Sequence, residues 1–271
     1  MCVRGRRMKI GVAIKQVPAR ESAVRVAAGG CSLDESDVAW TMNEPDAYAL
    51  EEALQLKERA GAGEVVVLCA GPERVTSTLR EALAKGADRA IHVVTDEAGD
   101  GSLAARDTLD VARLLAEAVK TESPDLVLTG LQSDDLGAGQ TGVVMAELLG
   151  MPHTTLVLQV ELESAEKIPQ KIKVKRELED GWFQHVEMRL PALLTVQSGG
   201  NKLRYATLMG IKKARSKETR AVPAAPFAAR HDEIVKVATP ERVKRTEKLI
   251  GPPDEVAQKI VEKLKLEVKV L

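Results

Sequence analysis

Short unbroken apolar runs alternate along this chain with stretches in which apolar residues return every three or four positions, and the pair recurs four times before residue 150. Lys9 to Val17 (KIGVAIKQV), ended by Pro18, is too short for a buried helix and rich in β-branched residues, so it predicts a buried strand. Asn43 as helix N-cap and Pro45 in the first turn precede Ala47, Leu50 and Leu54 at helical spacing, up to a stop at Gly61. Glu64 to Cys69 (EVVVLC) predicts a second strand leading into Ala70-Gly71-Pro72. Val75, Leu79, Ala82 and Leu83 then form a helical stripe that ends at Gly86. Ala90 to Thr95 predicts a third strand, Asp107 to Thr121 a helix with Leu109, Ala112, Leu115 and Val119 inward, and Asp125 to Thr129 a fourth strand. A helix from about Thr141 to Leu149 closes at Gly150.

Strands alternating with helices of this length call for right-handed crossovers, and so for an α/β, doubly wound, mostly parallel sheet covered on both faces. From Leu156 the period changes to two. Lys171 to Lys175 and Phe183 to Arg189, separated by Asp180-Gly181, read as an antiparallel hairpin, and Pro191 to Val196 as a further strand. Gly199-Gly200-Asn201 is then a flexible turn, and Lys212 to Arg220 a charge cluster. Ala221 to Arg230, rich in alanine and proline, reads as an extended arm with too little apolar surface for a core of its own. After Pro252-Pro253 a last amphipathic helix carries Val256, Ile260 and Leu264 on one face. The expected division is a leader over 1–8, a nucleotide-binding body over 9–220 and a C-terminal arm with its helix over 221–271 that lies on another chain.

Composition narrows the function classes. With 271 residues, 44% of them hydrophobic, the chain is long enough for one sizeable core. Its 39 Lys and Arg against 40 Asp and Glu give a net charge of -1, which encodes no pull toward nucleic acid or an anionic membrane. Aromatics are only 2%, leaving few platforms on which to stack bases or a large planar cofactor. Cys2, Cys31 and Cys69 are odd in number without CxxC spacing, which points to a reducing, cytoplasmic setting. The basic start, Met1 to Met8, is not followed by the apolar stretch of a signal peptide, since Lys15 and Gln16 interrupt the next run. No run reaches the roughly 20 apolar residues of a membrane span.

In an open parallel sheet, ligands bind beyond the carboxyl ends of the strands, here the loops after Val17, Cys69 and Thr129. The third of these, Gly130-Leu131-Gln132-Ser133-Asp134-Asp135-Leu136-Gly137-Ala138-Gly139-Gln140-Thr141-Gly142, joins a strand to a helix. It offers backbone N–H groups, a helix N-terminus and the Ser133 and Thr141 hydroxyls to a phosphate. It matches neither GxGxxG nor a Walker A loop, so a plain glycine-rich connection is the competing reading. Asp134 and Asp135 are suited to ribose hydroxyls or to solvent. Ala13, Asn43 and Ala70 stand where a purine would be admitted, or else serve core packing and capping. His92, His153, His185 and His231 show no metal-ligand spacing, and no GxSxG motif appears; a nucleotide site without acid–base machinery suits a carrier better than a hydrolase.

Three segments resemble the electron-transfer flavoprotein β subunits, in a likeness running from Lys9 to about Lys213. They are KIGVAIKQV together with Met42-Asn43-Glu44-Pro45-Asp46-Ala47-Tyr48-Ala49-Leu50-Glu51-Glu52-Ala53, the loop from Gly130 to Thr141, and VKRELEDGWFQHVEMRLPALLT from Val174 to Thr195. The last is long and resembles the family signature throughout. Arg204-Tyr205-Ala206-Thr207-Leu208, with Lys212-Lys213, is similar to the family's recognition loop (197–213), whose leucine anchors in a partner dehydrogenase; the resemblance makes Leu208 that anchor. An exposed leucine flanked by lysines is also physically a small hot spot with electrostatic steering.

The resemblance implies an adenine nucleotide alpha hydrolase-like, Rossmann-like sheet, and an α-subunit partner that holds most of the redox FAD. It implies AMP, or a second FAD in electron-bifurcating members that use NADH, in this subunit. It carries the AMP site onto Ala13, Asn43, Glu44, Pro45, Asp46, Ala70 and Gly130 to Thr141, and a role in holding the mobile flavin domain onto Glu177. Electron donors would be acyl-CoA or other flavin dehydrogenases, and the acceptor a quinone oxidoreductase of the type the family serves. Two departures bear on the nucleotide. Ala70 replaces a cysteine of some members, and Asp134-Asp135 followed by Leu136-Gly137-Ala138-Gly139-Gln140 differs from the Asp-Gly-Asp and Gly-Pro pattern of bifurcating members, which favours AMP. An ATP-binding protein of the universal-stress type is the rival from another class.

Overall fold

The computed structural model describes residues 7–96, 107–163, 169–225, 234–240 and 246–269. The chain divides into two compact units, one up to Val237 and one from Ala238. The first unit opens with β1 (Lys9–Ala13) and the short pair β2 (Gln16–Pro18) and β5 (Trp40–Met42), between which lies a small ribbon of β3 (Arg25–Val26) and β4 (Leu33–Asp34). Then follow α1 (Glu44–Arg59), β6 (Glu64–Gly71), α2 (Thr76–Lys85), β7 (Arg89–Val94), α3 (Thr108–Glu122), β8 (Leu126–Gly130) and α4 (Thr141–Leu149). The remainder is β9 (His153–Leu162), β10 (Lys171–Glu177), β11 (Phe183–Arg189), β12 (Ala192–Val196), α5 (Leu208–Ala214) and β13 (Thr219–Pro223).

Nine strands form one sheet in the order β11-β10-β9-β12-β8-β1-β6-β7-β13. From β9 to β13 every neighbouring pair is parallel, and β10 is antiparallel to both β9 and β11. This is the doubly wound, mostly parallel α/β sheet with an antiparallel hairpin that the patterning predicts. The two faces can be read from β6 alone, where period-two alternation sends side chains to opposite layers. Val65, Val67 and Cys69 join Leu50, Leu54, Leu79 and Leu83 of α1 and α2, whereas Val66, Leu68 and Ala70 join Leu115, Val119 and Met145 of α3 and α4. Leu68 is fully enclosed, so truncating it to alanine costs about 2–5 kcal/mol.

The apolar run KIGVAIKQV is two strands instead of one. After Ala13 the chain leaves the sheet, Lys15 N donates to Asp46, and Gln16 to Pro18 pairs with β5. Asp107 lies just outside α3 as its cap, accepting from Asp110 N at 2.7 Å. The hairpin turns through Asp180 (φ 56°) and Gly181 (φ 76°), the left-handed pair that an Asp-Gly turn supplies. The expected recognition loop runs into α5, and the end of the charge cluster and the start of the extended arm form β13. β13 crosses the expected boundary at residue 220 and adds to β7 as the sheet's edge, with Thr219 beside Ala90 and Pro223 beside Val94. Residues 1–6 of the expected leader, 226–230 of the expected arm, and His231 lie outside the described residues.

In the second unit α6 (Pro253–Lys263) continues into one wider π-type turn over Leu264–Val268. It buries none of its own residues, and Ile260 and Val261 are exposed. No helix among the described residues is long and apolar enough to cross a membrane.

Candidate functional site

β8, β1 and β6 lie side by side and parallel, so the segments leaving their carboxyl ends converge. Buried Asp46, in the first turn of α1, ties two of these exits together. Its carboxylate accepts from Lys15 N (2.7 Å), just beyond β1, and from Gly130 N (2.8 Å), at the end of β8. Asn43, 1% exposed, holds the loop on from there: its Nδ2 donates to Gln132 O and its Oδ1 accepts from Asp134 N, both at 2.9 Å. Asp134 reciprocates by accepting from Glu44 N at 3.2 Å. Thus Asn43 occupies the N-cap position with its carbonyl accepting from Ala47 N at 3.1 Å, but its side chain makes no bond to the helix it precedes. The cap of α1 comes from the loop, and Asn43 clasps the loop in return. Lys15 closes the ring, its Nζ 2.6 Å from Asp135 and 3.3 Å from Ser133 Oγ.

Beyond this clasp the loop presents donors. Among the described residues, the N–H groups of Ala138, Gly139, Gln140, Thr141, Gly142 and Val143 meet no acceptor; the first bond of the helix is Val144 N to Gln140 O. Gly137 (φ 63°) and Gly139 (φ 64°) take the left-handed conformation that turns the backbone so that successive N–H groups gather. α4 starts at Thr141, and its N-terminus adds a partial positive charge. Two close approaches leave no room for side chains. A Cβ on Gly130 would run into the carboxylate and backbone of Asp46, and one on Gly142 into Thr129 Oγ1 and Thr195 Cγ2. The crowded glycines let the loop and α4 pack against α1, β8 and β12, and the donor set fits a phosphate group.

Electrostatics separates the acids. Burial pushes the Asp46 carboxyl up to about 7, outweighing the two N–H bonds that favour its ionised form. Burial also acts upward on Asp135, but the hydrogen bonds from Lys15 and Ser133 prevail and hold it below the usual carboxylate range. Both loop aspartates are engaged within the protein, Asp134 with the head of α1 and Asp135 with Lys15. Ala13 and Ala70 are buried at the ends of β1 and β6, in the layer under α3 and α4.

The residues singled out from sequence around the cradle are therefore largely brought together: Asn43, Glu44 and Asp46 touch Gly130, Gln132 and Asp134 directly. Pro45 is buried beside Gly130, and exposed Leu136 and Gln140 lie on the loop's outer side. Leu131 N donates to Val196 O, fastening the loop's start to β12. Sequence reasoning missed Lys15, read there only as an interruption of an apolar run; a lysine just past a strand's carboxyl end was the available signal. His92 is buried against Gly71 O (2.8 Å), whereas His153 and His185 are exposed. Among the described residues no group of three or more His, Cys, Asp or Glu is placed to hold a metal ion. A cavity of about 850 Å³ lined by Val119, Pro124, Met151 and Pro191 lies toward the opposite, amino ends of the strands and shares no residue with the cradle.

A second feature lies between α1 and α2. Tyr205 (93% exposed), Leu208 (87%), Met209 and Ile211 project from a segment whose lysines 212 and 213 are also exposed. Leu208 does not pack on its own chain. It is also not in a loop, because Thr207 caps α5 by accepting from Gly210 N at 3.0 Å. Arg204 points inward to Glu51 and Glu58. Glu177 is half-buried at the end of β10, with Gln197 Nε2 at 3.5 Å, next to a hairpin tip that exposes Trp182 and Phe183.

An electron transfer flavoprotein domain model matches residues 30–227. Among curated relatives, the electron transfer flavoprotein subunit beta of Methylophilus methylotrophus is 40% identical over 239 residues, 88% of each chain. The mitochondrial electron transfer flavoprotein subunit beta of Oryza sativa subsp. japonica is 37% identical over 267 residues, 97% of this chain and 100% of its own. The Mus musculus electron transfer flavoprotein subunit beta is 35% identical over 254 residues, 94% of this chain and 95% of its own.

Proposed function

This chain belongs to the electron transfer flavoprotein family as a β subunit, and from that premise we propose that it holds AMP in the loop between β8 and α4 while an α subunit holds the redox FAD. The observation that carries the AMP assignment is the run of six unengaged N–H groups from Ala138 to Val143 at the head of α4. They would receive the phosphate together with the Thr141 hydroxyl, and the backbone of Asn43 to Asp46 and Gly130 to Ser133 would flank the nucleoside. FAD, when bound, supplies the electron-accepting and electron-donating chemistry. The residues of this chain bind, orient and recognise, and none is assigned a proton transfer.

Leu208, with Tyr205 and Met209 around it, is the anchor for donor flavoprotein dehydrogenases, acyl-CoA dehydrogenases among them, and Lys212 and Lys213 steer an acidic rim toward it. Electrons leave to a quinone oxidoreductase of the family's type. Glu177 and the hairpin tip face the mobile flavin domain, and the chain beyond β13, with the bare apolar face of α6, lies on the α subunit. A cytoplasmic setting accompanies this reading, supported by free thiols at Cys31 and Cys69.

Gly142→Ala in the α/β heterodimer tests the cradle. The added methyl meets Thr129 and Thr195 and shifts the head of α4, so the variant is expected to keep its FAD and lose AMP. Retention of both nucleotides at wild-type ratio would remove the assignment.

A further inference from the structure

The segment that presents Leu208 cannot hold its own shape. α5 has seven residues, well short of the roughly 12–15 at which an isolated helix becomes marginally stable. Its large side chains, Leu208, Met209 and Ile211, face solvent; only Ala214 of the helix is buried. Its conformation must be imposed from its flanks, and the contacts there are polar and specific. Upstream, Arg204 spends its whole guanidinium on α1: Nε and Nη2 donate to the two oxygens of Glu51 (2.8 and 2.9 Å), and Nη1 and Nη2 to those of Glu58 (2.6 and 3.1 Å). Asn201 Nδ2 adds a bond to Glu52 on the same helix (3.2 Å). Downstream, Lys217 Nζ donates to Leu83 O and Ala87 O at the end of α2 (2.9 and 2.5 Å), and Gly210 lies so close over Ala84 O that no Cβ fits.

We propose that Arg204 is a positioning residue for partner recognition: its double fork on Glu51 and Glu58 fixes the approach to α5 and so presents Leu208 in its docking geometry before a partner arrives. The proposal rests on reading Leu208 as the partner anchor and assigns Arg204 no contact with the partner. The fork is suited to the task, because two bidentate carboxylate pairs define the guanidinium plane as well as its position. Glu51, only 5% exposed in its side chain, in turn depends on the arginine for its counter-charge, since Gln55 Nε2 at 2.8 Å is a neutral donor. Freezing the segment beforehand removes an ordering cost from docking.

The test uses the α/β heterodimer with an acyl-CoA dehydrogenase as electron donor and compares Arg204→Ala, Arg204→Lys, Glu58→Ala and Leu208→Ala. Arg204→Ala is expected to raise the KM of the dehydrogenase for the heterodimer by about tenfold, the order of one or two newly mobile side chains. The effect on kcat is expected to be smaller, and amide exchange at Gly210 and Ile211, both bonded to Thr207, is expected to be faster. Arg204→Lys, which keeps the charge but not the fork, should restore only part of the KM. Glu58 is 59% exposed in its side chain, so Glu58→Ala leaves Glu51 paired and carries the test where Arg204→Ala fails to fold; it should move KM and exchange in the same direction by less. If Leu208→Ala raises KM while Arg204→Ala and Glu58→Ala leave both KM and exchange unchanged, the positioning role is overturned and the anchor stands. If Leu208→Ala itself leaves KM unchanged, the anchor reading fails and the proposal with it.

Discussion

Asn43 shows how far a residue's task can lie from its neighbourhood. At the head of a helix an asparagine is expected to bond two or three residues on, yet this amide reaches Gln132, 89 residues away. Replacing it by alanine removes the part-buried bonds to Gln132 O and from Asp134 N, at a cost of about 1 kcal/mol. Asn43→Ala is therefore expected to lower the AMP content of purified heterodimer more than its FAD content, as nucleotide analysis would report. Asp46 carries the pH dependence. Its carboxyl is raised from 3.8 to about 7, so between about 4 and 7 the folded chain holds a proton that the unfolded chain has released. Its contribution to stability then falls as pH rises through that window and is level above it. Asp46→Asn lacks this slope. Urea midpoints of parent and variant, compared at pH 5 and pH 8, should show the variant gaining relative to the parent at the higher pH; a pH-independent difference would contradict the raised value. The strand–loop–helix order and the glycines marked the loop as a candidate site in the sequence, whereas Lys15, whose contact with Asp135 spans 120 residues, lies beyond any spacing rule.

At the level of elements, legibility followed burial. β6, enclosed on both faces, is a solid apolar run and announces itself. β13 has no buried residue along TRAVP and offers neither a run nor a clear alternation; it is a strand because β7 needs an edge partner, a fact of tertiary structure. The same holds for α5, whose inward positions, Gly210 and Ala214, carry too little apolar surface for a self-sufficient helix. Glu51 and Glu58, two turns apart on one face of α1, were the visible sign that something cationic docks there. The one local device of α5 is its cap, so Thr207→Ala is expected to cost about 1 kcal/mol and to speed exchange of the Gly210 amide, leaving bound nucleotide unchanged.

Across the whole molecule, the two ends of the sheet have different tasks. At the amino ends, Glu122 gathers Lys9 (3.3 Å), Arg89 (2.7 Å) and Arg220 (2.7 Å), and Arg89 reaches Glu64 at 2.6 Å. These contacts join β1, β6, β7, α3 and β13 and serve the fold. At the carboxyl ends the chain leaves N–H groups unengaged at the head of α4, which suits a bound anion. That polarity follows from parallel strands and was legible in the alternation of runs and helices; the identity of the nucleotide and of the partners is not encoded in any such period. Membership of the electron transfer flavoprotein family displaces the universal-stress reading and leaves the content of the cradle as the central claim. The measurement that tests it most directly is to co-express this chain with its α subunit, denature the purified heterodimer, and identify and count the released nucleotides. The account predicts one FAD and one AMP per heterodimer; two FAD and no AMP would contradict the AMP assignment and mark a bifurcating enzyme, and FAD alone would leave the cradle without its ligand.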